Sequence, residues 1–90
     1  MKALPPEVKP YHRTPDFTET GIPRALQDDH ATKPGVWGRI MVESGTLLLT
    51  FAESGETVTL RAGDTGIIAP EERHRVAADG SVTFHVEFCR

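Results

Sequence analysis

The segment from Ala62 to Val76 carries the side chain best placed for ligand chemistry, the imidazole of His74. A Gly63-Asp64 turn leads into an apolar strand, a turn containing Pro70 follows, and His74 opens the next strand. This order places an imidazole, which can bind a metal ion or hydrogen-bond a polar ligand, at the mouth of a small β structure. The segment therefore predicts a fold and a pocket, but it does not specify a reaction.

A metal centre is one chemistry that His74 could serve. A divalent transition metal such as zinc, iron, nickel or manganese needs at least three nitrogen, sulfur or carboxylate ligands that converge on one point. His30, His74 and Glu87 could supply them from three separate segments, with His85 as the alternative to Glu87. His85 is otherwise expected to be exposed. A divalent metal ion is thus the cofactor that these ligands would imply, and the sequence does not require one.

A pocket for a polar or anionic ligand is the second chemistry that these residues allow. Four side chains could hold a carboxylate or an oxyanion by charge-assisted hydrogen bonds, namely His30, Lys33, Arg39 and His74. Trp37 could add an apolar wall with its N–H directed inward. Glu87 would then either face solvent or pair with Arg39 or His74. The expected partner is a small molecule or an oxyanion.

Composition argues against several other classes of protein. Ten basic and 13 acidic side chains give a net charge of −3, so the basic patch of a nucleic-acid binder is missing. No apolar run is long enough to span a membrane, and the first residues lack the apolar core of a secretion signal. The single cysteine, Cys89, fits a reducing, cytoplasmic setting. No serine lies in a strand–Ser–helix elbow, so nucleophilic catalysis is not indicated.

The 90 residues predict one domain with an N-terminal extension. Residues 1–10 contain three prolines and are expected to form an extended arm, and residues 11–90 to form the domain. A domain of this size has a modest core, and such domains often gain stability by association. We therefore expect a homodimer.

Short strands punctuated by glycine, aspartate and proline predict an all-β sandwich or barrel. The expected strands are Val36–Glu43, Thr46–Phe51, Thr57–Leu60, Thr65–Ile68, His74–Ala77 and Val82–Phe88. Ser44-Gly45 and Asp79-Gly80 are interpreted as tight turns, and residues 22–26 as one helical turn at most. In the last strand the residues Val82, Phe84, Val86 and Phe88 share one face.

The spacing from Gly63 to His74 resembles the second sequence motif of the cupin superfamily. That resemblance implies a double-stranded β-helix, the cupin jelly roll. If Gly45 closes the first cupin motif, then Ala31, Lys33 and Gly38 stand at the positions of its two histidines and its glutamate. Of the four usual metal ligands only His74 is present, and the ammonium group of a lysine repels a cation until it is deprotonated.

A narrower resemblance covers the chain from Tyr11 to Arg90. The matching strings are Tyr11-His12-Arg13-Thr14-Pro15-Asp16-Phe17-Thr18, Ile22-Pro23, His30-Ala31-Thr32-Lys33-Pro34-Gly35-Val36-Trp37-Gly38 and Val86-Glu87-Phe88. They resemble the small cupin-like domain of tellurite-resistance proteins, the N-terminal domain of the TehB type. In some members a methyltransferase domain follows. We expect no methyl transfer from these 90 residues, which contain no glycine-rich nucleotide loop.

The sequence therefore predicts a cupin-like domain, related to tellurite resistance or stress response, that binds a small polar or anionic ligand inside its barrel. A metal-dependent oxygenase, isomerase or lyase built on His30 and His74 is the first alternative. A non-catalytic dimeric interaction module is the second. Whether the chain is an enzyme stays open, because a fold does not determine a reaction.

Overall fold

The computed structural model describes all residues from 1 to 90 and confirms the predicted all-β class. The six strands are β1 Pro10–Arg13, β2 Phe17–Thr18, β3 Trp37–Phe51, β4 Thr57–Arg61, β5 Thr65–Ile68 and β6 His74–Cys89. The helical content is α1, Arg24–Gln27, which is the single turn expected between residues 22 and 26. No helix has the length and hydropathy that a membrane crossing requires.

One antiparallel sheet of six strands is organised around β3 and β6. These two strands pair along nearly their whole lengths, from Trp37 opposite Cys89 to Phe51 opposite His74. The other edge of β3 pairs with β5 through residues 38–41 and with β4 through residues 46–50. The short strands β1 and β2 both pair with β6. The long β3–β6 ribbon therefore fixes the positions of all the other strands.

The turns expected at Ser44-Gly45 and Asp79-Gly80 are wrong, because β3 and β6 each continue through those residues. The pairing register shifts there instead. Glu43 is one extra residue in β3, between the pairs that Val42 and Ser44 make with β6. Further along, the three residues 79–81 of β6 lie opposite a single residue of β3, Thr46, so β6 has two extra residues there. Extra residues of this kind bend a strand without ending it, so the sheet curves where the sequence suggested reversals.

Gly45 shows why glycine is needed at this bend. Its φ is +75°, and a Cβ atom at this position would lie 1.9 Å from the carbonyl oxygen of Ser81 on β6. Glycine permits both the left-handed conformation and the close approach of the two backbones. The glycine that suggested a turn in the sequence therefore marks a contact between two bent strands.

The core lies on the inner, concave face of the bent sheet. Eleven buried side chains form it: Ile40, Val42, Leu47, Leu49, Phe51, Leu60, Ile68, Val76, Val82, Phe84 and Val86. The face predicted for the last strand is confirmed at Val82 and Phe84, which are almost completely buried. His85 was expected to be exposed, and this is wrong, because only 9% of its surface remains accessible on the outer face. Strand alternation thus gives the sheet two distinct faces.

Candidate functional site

The concave face encloses a cavity of about 350 Å³. Strands β3, β5 and β6 supply its floor, while α1 and the chain before β3 supply its rim. Ten of its 15 lining residues are hydrophobic, so a ligand would meet apolar carbon over most of its surface. The polar side chains at the cavity are His30, Thr32, Lys33 and His74, and Tyr11, which is one of the ten, adds a hydroxyl group. A mostly apolar cavity with a few grouped polar side chains is the usual form of a small-molecule site.

The two histidines of the cavity are held together by their own backbones. His30 and His74 form an isolated antiparallel bridge, in which each N–H donates to the other's carbonyl oxygen at 2.9 and 2.8 Å. Their ring centroids are 4.1 Å apart, with 54° between the ring planes. The segment before β3 and the start of β6 are 44 residues apart in sequence and meet at this pair. The bridge therefore fixes both imidazoles in the wall of the cavity.

The hydrogen bonds of the two rings determine which nitrogen carries the proton. The Nδ1 atom of His30 lies 3.0 Å from the carbonyl oxygen of Asp28, and that of His74 lies 2.8 Å from the carbonyl oxygen of Glu72. A carbonyl oxygen can only accept, so each Nδ1 must carry the hydrogen. In a neutral imidazole the Nε2 atom then keeps its lone pair. Both rings therefore offer Nε2 as an acceptor or as a metal ligand.

Burial keeps His74 in this neutral form. Loss of hydration is the largest effect on its pKa and lowers it from 6.5, and the nearby imidazole of His30 lowers it further. The hydrogen bond to Glu72 acts in the opposite direction without cancelling the effect of burial. At neutral pH His74 thus contributes a lone pair to the cavity and no positive charge.

Lys33 supplies the positive charge that His74 does not. It is exposed and lies at the rim, so its ammonium group keeps its hydration until a ligand arrives. The neighbouring Thr32 donates a hydrogen bond of 2.7 Å to the carbonyl oxygen of Val36 and accepts one from the N–H of Glu71. These bonds hold the rim segment in place beside the turn that precedes His74.

Tyr11 is a lining residue that the sequence analysis did not select. It lies in β1, where the guanidinium group of Arg90 stacks over its ring at 4.0 Å. The family resemblance could have indicated this residue, because Tyr11 is the first residue of the first matching segment. Nothing in the local pattern indicated that a strand near the N-terminus would reach the cavity.

Three residues that were predicted for the pocket lie on the outer face of the sheet. In β3, Trp37 and Arg39 alternate with the inward positions 38 and 40, and in β6 Glu87 lies between the lining positions 86 and 88. The guanidinium group of Arg39 binds the carboxylate of Glu87 through Nε at 2.8 Å and through Nη2 at 2.7 Å. Glu87 is therefore the partner of Arg39, which was one of the two roles considered for it.

The predicted metal ligands His30, His74 and Glu87 are not brought together. The first two provide adjacent nitrogen atoms, but no carboxylate or thiol lines the cavity, and Glu87 pairs with Arg39 on the opposite face. A cupin-type metal does not fit this cavity, because two ligands are fewer than such an ion requires. Three potential ligands converge elsewhere, at Asp16, Glu43 and His85 on the outer face.

The model of the TehB-like domain family matches residues 12–86. The chain belongs to the TehB-like domain family. TehB from Haemophilus influenzae is 26% identical with a TM-score of 0.83, over 93% of this chain and 32% of that one. This chain thus spans about a third of the length of that protein. No curated protein matches the chain.

Two further solved structures confirm the fold of this TehB-like domain. A protein from E. coli strain K12 is 24% identical with a TM-score of 0.87, over 100% of this chain and 97% of that one. A cupin-2 domain protein from Shewanella frigidimarina is 18% identical with a TM-score of 0.61, over 83% of this chain and 67% of that one. The predicted cupin-type, all-β architecture is therefore confirmed.

Proposed function

We propose that this TehB-like domain binds a small molecule that has an apolar body and a polar or anionic head group. One observation carries the proposal: a cavity of about 350 Å³ is apolar over most of its wall, and His30, His74 and Lys33 supply polar groups at it. A bare inorganic oxyanion would satisfy those polar groups but would leave the apolar wall without a partner. A carboxylate on a short aliphatic or aromatic body satisfies both.

The head group would be recognised by two different kinds of contact. Lys33 would form a charge-assisted hydrogen bond with a carboxylate or oxyanion oxygen. The free Nε2 lone pairs of His30 and His74 would accept hydrogen bonds from a hydroxyl, an amide or a protonated acid. The ligand body would lie against Ile40 and Ile68 on the floor. A role in tellurite resistance or stress response is part of this proposal through the family alone.

Calorimetry on the tag-free chain with a panel of small molecules tests the proposal. The panel pairs short aliphatic and aromatic carboxylates with their neutral amides, and it includes phosphate, sulfate and tellurite as bare oxyanions. We expect a carboxylate with an apolar body to bind best. Lys33→Ala should weaken carboxylate binding more than amide binding, whereas Lys9→Ala should leave both unchanged because Lys9 does not line the cavity.

A variant of His74 separates ligand recognition from local structure. In His74→Asn the side-chain amide can still donate to the carbonyl oxygen of Glu72, but the position of Nε2 is empty. We expect an unchanged fold and weaker binding of ligands that carry a hydroxyl or amide donor. If no member of the panel binds, or if Lys33→Ala and Lys9→Ala behave alike, the proposed pocket is wrong.

A homodimer in the cytoplasm is also part of the proposal. The modest size of the domain supports the homodimer. The single, buried cysteine, Cys89, supports the reducing, cytoplasmic setting. The alternative of an interaction module has less support, because the large apolar side chains that are exposed are Met1 and Tyr11 alone. A docking surface usually presents a contiguous apolar patch instead.

A further inference from the structure

We propose that Asp16, Glu43 and His85 form a binding site for one divalent transition-metal ion, zinc or manganese, on the outer face of the sheet. The site is independent of the ligand cavity, which lies on the concave face. Three segments supply it: the loop between β1 and β2 carries Asp16, β3 carries Glu43, and β6 carries His85. The ion would tie the N-terminal strands to the central ribbon.

The buried imidazole of His85 is the first observation behind this proposal. The residue is only 9% exposed, and its Nδ1 atom is buried without a hydrogen-bond partner. A buried polar nitrogen with no partner costs free energy, so such atoms are rare in folded proteins. The Nδ1 atom is directed toward the carboxylates of Glu43 and Asp16. It therefore has no hydrogen-bond partner at the point where the two carboxylates converge.

The distances between the three groups favour a shared ion over direct hydrogen bonds. The Nδ1 atom of His85 lies 3.5 Å from Oε2 of Glu43 and 3.7 Å from Oδ1 of Asp16. A hydrogen bond between nitrogen and oxygen is usually about 2.7–3.2 Å long. Tetrahedral ligands at about 2.1 Å from a metal are about 3.4 Å from one another. The observed separations are close to that spacing.

The position of Glu43 follows from the bend in β3. Glu43 is the extra residue at the register shift, where Val42 pairs with Phe84 and Ser44 pairs with Thr83. Bulges often redirect a side chain near a functional site. The residue opposite His85 in the ladder is Met41, and Glu43 lies two residues further along the same outer face of β3. The second ligand is therefore a diagonal neighbour of His85 on the outer face, next to an irregularity in the ladder.

The charges and exposure of the ligands also suit a divalent ion. Two carboxylates balance a charge of +2, and a neutral imidazole adds a nitrogen ligand that zinc and manganese accept. Calcium fits less well, because it needs six or more oxygen ligands. The side chains of Asp16 and Glu43 are 47% and 43% exposed, so water can complete the coordination sphere.

Arg13 competes for one of the ligands. Its Nη2 atom donates to Oδ1 of Asp16, the same oxygen that faces His85. The guanidinium group is half exposed, and it can move away when a metal ion binds. This contact gives the proposal a specific consequence. Removal of the arginine should strengthen metal binding, whereas removal of any ligand should weaken it.

Titration calorimetry of the tag-free, chelator-treated chain with zinc chloride and manganese chloride tests the site. We expect one equivalent of metal per chain and a rise of several degrees in Tm. His85→Gln and Glu43→Gln should each lower the affinity more than about tenfold, since changes in outer-shell partners alone cost about 10–100-fold. Arg13→Gln should raise the affinity. The control His12→Gln, on β1 outside the cluster, should bind as the unmodified chain does.

The controls also distinguish this site from the cavity and from a simple ion pair. Metal binding that survives in His85→Gln and Glu43→Gln but is lost in His30→Ala would overturn the proposal. Absence of binding would overturn it as well, and the three side chains would then form only a polar contact on the outer face. Glu43→Gln changes an exposed side chain without a change in its size, so this variant keeps the test valid if His85→Gln does not fold. Circular dichroism of every metal-free variant checks the fold.

Discussion

His30 and His74 show how a backbone contact defines the chemistry of a side chain. Each Nδ1 donates to the carbonyl oxygen of the residue two positions earlier in the chain. Main-chain geometry therefore leaves each Nε2 atom as a hydrogen-bond acceptor. The proposed ligand would bind to these two acceptors as well as to the charged group of Lys33. Burial determines the charge state of His74, because it lowers the pKa of that ring.

The pKa of His74 predicts a dependence of stability on pH. In the unfolded chain the ring keeps its ordinary value of about 6.5, and in the folded chain burial holds the pKa lower. As the pH falls through about 6.5, the unfolded state takes up the proton first, so the fold loses stability. The loss increases until the pH passes the lower pKa of the folded state, and below that pH it stays constant. Above that range the residue has no effect.

Urea unfolding at about pH 7 and about pH 5 measures this contribution. We expect the free energy of unfolding to fall between the two values by more in the unmodified chain than in His74→Asn, which has no ring to protonate. Other titrating groups are common to both proteins and cancel in the comparison. An equal fall in both proteins would contradict the assignment.

The long strands β3 and β6 are the elements that carry both proposed sites. Their bulges bend the ribbon, so that one face encloses the cavity, while the outer face carries Glu43 beside His85. The bend depends on the close approach of Gly45 to Ser81, and the core beneath it depends on regular alternation along β3. Two predictions test these two features of the ribbon.

Gly45→Ala should destabilise the fold far more than Gly55→Ala. Both glycines have a φ of +75°, so an alanine at either position bears the same conformational strain of about 1–2 kcal/mol. At Gly55 a Cβ atom meets nothing within 4 Å, whereas at Gly45 it would overlap the carbonyl of Ser81. The clash should add about 1–3 kcal/mol or more, as overpacking does. Chemical denaturation measures both variants, and similar losses would show that the bend is not tightly packed.

Alternation along β3 predicts unequal effects of two neighbouring leucines. Leu49 is fully buried in the core, while Leu48 on the other face is half buried. Leu49→Ala should lower the free energy of unfolding by about 2–5 kcal/mol, because it leaves a cavity. Leu48→Ala should lower it by less than about 2 kcal/mol. The same denaturation experiment compares them, and the reverse order would mean that the two faces are assigned incorrectly.

The whole molecule places its two proposed sites on opposite faces of one sheet. Its accessible surface of 5120 Å² is close to the value of about 5200 Å² expected for a folded monomer of its mass. The single chain therefore has an ordinary monomer surface, although a domain of this size often associates. The homodimer stays a prediction.

Light scattering coupled to gel filtration tests the homodimer. We expect a mass of twice 9.9 kDa at micromolar concentration, because association would add buried surface to a small core. The measurement should be repeated with a chelator, since a metal bridged between copies would also give a dimer. A mass of 9.9 kDa under both conditions would contradict the prediction.

Local chemistry in the sequence predicted much of the architecture. Alternation identified the buried face of the last strand, and turn residues delimited Thr65–Ile68 correctly. The strings around His30 and Trp37 indicated the family, whose model matches most of the chain. These features depend on residues close together in sequence, so they can be read without knowledge of the rest of the fold.

The tertiary structure alone decided how distant residues combine. The Gly45 and Gly80 regions have the composition of turns, but long-range pairing of β3 with β6 converts them into bends. The same pairing turns Arg39 and Glu87 to the outer face and buries His85 there. Pairing register and strand curvature depend on β3–β6 contacts that are 23–52 residues apart, so a local pattern cannot specify which side chains share a face or meet in a site.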